Sequence, residues 1–225
     1  GVNWSQQAQL TAPDGTAEDY FGRSVSLAAD GSTALIGADF KQIGENTRQG
    51  AAYVFTENEG AWSQQARITA QEGAAYNWFG SSVGLASDGR TALVGAEGYG
   101  AAFVFTRSGN TWSEQAILSA EGITFFWGVP VALAPDGRTA LIEDGYLFQF
   151  IDGSWQAGPN LLPEDSGTAS SGFGSSVALS RDGSLALVGA KSAQIGENQS
   201  QGAAYFFSGF SALRQPAIFL PLVIR

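Results

Sequence analysis

Short apolar runs separated by Gly-rich polar turns return along this chain in a fixed order. Ser24-Val25-Ser26-Leu27 alternates polar and apolar, and Asp30-Gly31 follows as a turn. Thr33-Ala34-Leu35-Ile36-Gly37-Ala38 is then apolar at consecutive positions, as is the run from Ala51 to Thr56, before Trp62-Ser63-Gln64-Gln65-Ala66 alternates again. Alternation predicts a half-exposed strand, and a continuous apolar run of this length predicts a strand covered on both faces. The Asp-Gly pair supplies the positive φ that a tight hairpin needs. One unit thus reads as four strands, a to d.

The unit recurs. Phe79-Gly80 opens a second copy that reaches Gly100-Ala101-Ala102-Phe103-Val104-Phe105 and Trp112, and Phe173-Gly174 opens another that reaches Gly202-Ala203-Ala204-Tyr205-Phe206-Phe207. Between them lies a worn copy, from Trp127-Gly128 to Phe150 and Trp155. Four units of four short strands at about 45 to 60 residues each predict an all-β fold, a β-propeller of four four-stranded blades. The blades are expected at about residues 12–70, 71–120, 121–158 and 159–207. Trp4-Ser5-Gln6-Gln7-Ala8-Gln9-Leu10 matches strand d although no blade precedes it, whereas the fourth unit stops at strand c. Pairing residues 3–11 with the last blade is expected to close the ring, leaving residues 208–225 as a connector and apolar tail.

Composition narrows the function. The net charge of −10 opposes nucleic acid and anionic membranes as partners, because either would meet a like-charged surface. Cysteine and histidine are absent, which removes disulfides, the thiolate nucleophile, the commonest general base and the commonest transition-metal ligands. Without Met, Gly1 is expected to follow a removed secretory signal. No apolar run reaches the roughly 20 residues that span a bilayer.

Phe-Gly-x-Ser-Val-x-Leu, then Asp-Gly, then Ala-Leu-Val-Gly-Ala (residues 92–96 and 186–190), then Gly-Ala-Ala-Tyr-Val-Phe resembles the FG-GAP repeat of integrin α-subunit propellers and many secreted bacterial proteins. The likeness covers about residues 4–207. It implies a secreted or cell-surface propeller used for adhesion or ligand binding. Two departures stand out: the best-known members have seven blades, and their calcium loops carry Asp-x-Asp-x-Asp-Gly between strands a and b. Here that connection is Ala28-Ala29-Asp30-Gly31 and its counterparts, and one carboxylate cannot supply the six to eight oxygens of a calcium site. No metal site and no cofactor are expected.

In a four-stranded meander the d-to-a and b-to-c connections share one face. Tyr20, Tyr76, Trp78 and Phe125 come from the first set and Phe40 from the second, beside polar groups that suit a protein or sugar contact. Packing between blades is the competing role for these rings. Gln42-Ile43-Gly44-Glu45-Asn46 recurs as Gln194-Ile195-Gly196-Glu197-Asn198, which makes Ile43, Glu45, Asn46, Ile195, Glu197 and Asn198 candidate contacts, or two inherited turns. No catalytic residue is assigned. Glu143-Asp144 is an adjacent acidic pair where other units have Gly-Ala, and drift of a worn repeat accounts for it better than acid/base chemistry.

The tail is far more apolar than an exposed terminus should be. Ile218, Phe219, Leu220, Leu222, Val223 and Ile224 are candidate subunit contacts, by packing on the propeller or by strand addition to a neighbour. The sequence therefore reads as a non-enzymatic interaction propeller, an adhesion module or a subunit of a surface assembly or filament. Its expected partner is a protein, a second copy included. A carbohydrate-binding propeller is the alternative.

Overall fold

The computed structural model describes residues 3–119, 129–163 and 172–210; the tail and Phe125 lie outside them. The first blade is β1 (Val25–Leu27), β2 (Thr33–Ala38), β3 (Ala51–Asn58) and β4 (Ala61–Ile68). The second is β5 (Phe79–Leu85), β6 (Thr91–Ala96), β7 (Ala101–Ser108) and β8 (Thr111–Leu118). The third is β9 (Val131–Leu133), β10 (Thr139–Ile142), β11 (Tyr146–Ile151) and β12 (Ser154–Asn160). The fourth has β13 (Phe173–Leu179), β14 (Leu185–Ala190) and β15 (Ala203–Ser208). Each is an antiparallel meander in chain order.

Turn chemistry sets the hairpins. Asp30 Oδ1 accepts the Ser32 amide at 2.9 Å while Gly31 takes a φ of 75°, and Asp88, Asp136 and Asp182 hold the amides of Arg90, Arg138 and Ser184 in the same way. The common turn fixes a common register: Leu35 faces Val54, Leu93 faces Val104, Leu141 faces Leu147 and Leu187 faces Phe206.

That register gives every blade two apolar faces. Leu35 and Val54 of the first blade pack with Phe79, Val83, Leu85, Val94 and Phe103 of the second. Leu93 and Val104 then pack with Val131, Ile142 and Phe148 of the third, and Leu141 and Leu147 with Phe173 and Val188 of the fourth. The blades stack first to second, second to third and third to fourth. Gly37 and Gly95 permit the close approach, since a methyl at either would run into the carbonyl of Gly80 or Val129 on the next blade.

The expected closing strand is not paired. Residues 3–11 form no strand, Trp4 is 97% exposed, and β15 is the outermost strand of a three-stranded sheet. The chain is held only from Leu10 onward, where Leu10 and Ala12 pack on Ile36, Tyr53 and Phe55 of the first blade. Ile68 and Ala70, at the end of the first blade's strand d, sit against the second blade in the same manner. No helix among the described residues is long and apolar enough to cross a membrane.

Candidate ligand-binding cleft

The loop entering the first strand of a blade is built alike in blades one and two. Glu18 and Tyr20 take positive φ values of 65° and 55°, and Tyr76 and Trp78 take 62° and 53°. Between them a buried polar side chain caps the turn: Asp19 accepts the Thr16 amide at 2.6 Å, and Asn77 Oδ1 accepts the Ala74 amide at 2.5 Å. A non-glycine residue in the left-handed region costs on the order of 1–3 kcal/mol and persists only where its surroundings over-determine it. Here those surroundings are hydrogen bonds. The amides of Tyr76, Trp78 and Phe79 donate to the carbonyls of Thr47, Arg48 and Gln49, zipping the second blade's entry loop to the first blade's strand-b-to-c loop. On the other side Lys41 donates to Asp19 at 2.9 Å, both side chains being buried. Burial works against the Asp19 charge, but hydrogen bonds from Lys41 and Thr16 outweigh it and hold the carboxyl below its usual range.

These constraints bring three rings together. Tyr20 stacks on Phe40 with centroids 4.7 Å apart, Phe40 lies 6.2 Å from Trp78 at an interplanar angle of 28°, and the Arg48 guanidinium covers Phe40 at 4.3 Å. With Arg23, Asp39 and Glu97 they line a cleft of about 260 Å³ between the first two blades. Asp39 is 3% exposed, with Arg23 Nε 3.6 Å from one carboxylate oxygen. Its other oxygen, Oδ1, and Trp78 Nε1 are buried without a hydrogen-bond partner among the described residues. Burial pushes the Asp39 carboxyl up, opposed by Arg23 and helped by the charge of Glu97. The cleft thus offers stacking faces, carboxylate acceptors and a guanidinium donor at one place.

Glu97 also acts on the third blade. Glu143, 6% exposed, is pushed up to about 7 by burial first, then by the charges of Asp144 and Glu97. Acidic groups of three successive blades, Asp39, Glu97 and Glu143, therefore lie within electrostatic reach of their neighbours along the stack. Among the described residues no group of carboxylates has the arrangement to hold a metal ion.

Of the residues singled out in the sequence, Tyr20, Phe40 and Trp78 meet in the cleft. Tyr76 is exposed on the same loop, outside the lining. Ile43 packs toward the first-blade core, and Ile195 is exposed on the fourth blade. Asn46 and Asn198 close identical turns: each pairs with the isoleucine three residues before it and donates to Gln49 or Gln201. Glu45 and Glu197 lie exposed at the tips of those turns. The cleft residues that sequence reasoning missed are Arg23, Asp39 and Glu97. One signal pointed to them: Asp39 and Glu97 occupy the same position, directly after the Gly-Ala that ends strand b.

The FG-GAP repeat model matches residues 4–55, 62–109 and 155–207, more than half of the chain. The chain belongs to the FG-GAP repeat family. No curated protein matches its sequence. Among solved structures it is similar to hydrazine synthase of Kuenenia stuttgartiensis, with a TM-score of 0.54 and 12% identity over 88% of this chain and 49% of that one. It is also similar to a protein assigned as a 6-phosphogluconolactonase from Bacteroides uniformis, with a TM-score of 0.55 and 15% identity over 80% of this chain and 56% of that one. A protein of unknown function from Desulfotomaculum acetoxidans aligns with a TM-score of 0.53 and 11% identity, over 75% of this chain and 48% of that one. This FG-GAP chain spans about half the length of these proteins, and at such identities the likeness concerns the propeller-type fold alone.

Proposed function

We propose that this FG-GAP chain is an extracellular, non-enzymatic recognition propeller that holds a sugar residue of a glycan in the cleft between its first two blades. The observation that carries this is the row of Tyr20, Phe40 and Trp78 bordered by Asp39, Glu97 and Arg23. A pyranose presents an apolar C–H face to stack on a ring and hydroxyls that both donate and accept. It suits a site with both carboxylates and a guanidinium. A cationic ligand would be repelled by Arg23 and an anionic one by Asp39 and Glu97. The absence of His and Cys from the whole sequence favours binding over turnover.

A glycan microarray followed by titration of the indole fluorescence tests this reading. Binding to a defined sugar is expected, weakened at least tenfold by Trp78→Ala and by Asp39→Asn in proteins that keep the wild-type far-ultraviolet spectrum. An array without hits, or hits indifferent to both substitutions, removes the sugar from the cleft. Assembly through the tail belongs to the same family of functions: if Ile218, Phe219, Leu220, Leu222, Val223 and Ile224 join subunits, removing residues 217–225 lowers the mass in solution.

A further inference from the structure

The two ends of the blade stack display the halves of an interface that the molecule already uses three times. Val83 and Leu85 of the second blade are 8% and 7% exposed because they pack on the first blade, and Val131 of the third is 9% exposed against the second. Their first-blade counterparts, Val25 and Leu27, are 70% and 58% exposed. At the other end the pattern inverts. Leu35 with Val54, Leu93 with Val104 and Leu141 with Leu147 are all at most 1% exposed, each pair covered by the following blade, whereas Leu187 is 45% and Phe206 66% exposed.

Three further details mark the fourth blade as prepared for a successor. Gly189 stands where Gly37 and Gly95 admit the backbone of the next blade, yet a methyl there would meet only Ser176 of its own blade. Ser176 is exposed, whereas at the same position Ser24 donates across the blade boundary to the Gly80 carbonyl and Ser82 Oγ accepts the Val131 amide. Among the described residues the outer edge of β15 has no fourth strand, while residues 4–9, with a strand-d sequence, are exposed and pair with none of the described strands.

From this match we infer that the chain associates head to tail with a second copy of itself: the Leu187 and Phe206 face of one copy receives the Val25 and Leu27 face of the next. The occupant follows from continuity with the internal interfaces, because the surface that fits a fourth-blade face of this shape is a blade that opens with the Phe-Gly cassette. The incoming copy also brings its own residues 4–10 to the edge of β15. The register of β3 with β4, in which Val54 faces Ala66 and Ala52 faces Ile68, sets Ala8 opposite Phe206 and Leu10 opposite Ala204. A rung awaits completion as well. Trp112 and Trp155 donate to Gln65 and Gln115 on the preceding strand d, and Gln7 holds the corresponding position for Trp62. Because the two faces differ, the contact is heterologous: it propagates into an open chain of copies or closes into a ring of two or more.

The experiment uses two full-length variants, one with Val25→Asp and Leu27→Asp, the other with Leu187→Asp and Phe206→Asp. All four side chains are exposed in the single chain, so each variant is expected to fold, as circular dichroism checks. Sedimentation analysis should find each variant monomeric on its own, with association weakened by at least about 30-fold, the loss of one hot-spot contact of about 2 kcal/mol. Mixed at equal concentrations, the variants retain one intact face each and should form a 1:1 complex and nothing larger. Deletion of residues 217–225 should leave wild-type association in place. A wild-type chain monomeric at every concentration, as ring closure within one chain would give, overturns the inference. So do a mixture that stays monomeric and an association abolished by the tail deletion alone.

Discussion

Glu143 takes the place that glycine holds in the other blades, Gly37, Gly95 and Gly189, and there its side chain is buried with Oε2 unpartnered among the described residues. Its carboxyl is raised from 4.5 to about 7, chiefly by burial. The folded state therefore keeps a proton that the unfolded chain releases, and stability falls as pH rises between those two values. Glu143→Gln removes that slope. The variant should gain about 3 kcal/mol at pH 8 and almost nothing at pH 4.5, read from urea unfolding at both pH values. An equal gain at both would assign the effect to packing instead. Gly95 makes the complementary point about size. A methyl added there meets the Val129 backbone, which cannot turn aside as a side chain could.

At the scale of elements, the strands and hairpins were legible because local chemistry dictates them. Asp-Gly turns, the alternation of strands a and d and the apolar run of strand b each need only their own residues. The repeated Gln-Ile-Gly-Glu-Asn loops show how far this goes: Asn46 and Asn198, Gly44 and Gly196, make the same turn by the same bonds. The cleft was only half legible. Its rings stood out as aromatics in loops, but Asp39 and Glu97 follow a strand, where a carboxylate reads as solvated. Only the packing of one blade on the next turns them inward. The pairing of residues 3–11 was not legible either, since a strand-d pattern specifies a strand without naming the edge it joins. The Lys41–Asp19 pair is the element-scale lever on the cleft, because it ties the loop carrying Tyr20 to the loop carrying Phe40. Lys41→Ala leaves Asp19 buried without its cation and should destabilise the fold by about 3 kcal/mol. Asp19→Asn combined with it should recover part of that loss, which thermal unfolding of the single and double variants checks.

On the scale of the whole molecule, four blades stacked through one repeated interface leave that interface open at both ends. The acidic surface and the aromatic cleft agree with a module that binds and assembles. The most direct test is sedimentation equilibrium of the unaltered chain over a wide range of concentration. The account predicts a mass that rises with concentration above that of the single 23.4 kDa subunit, in whole multiples of it. A constant mass of one subunit at all concentrations would contradict it.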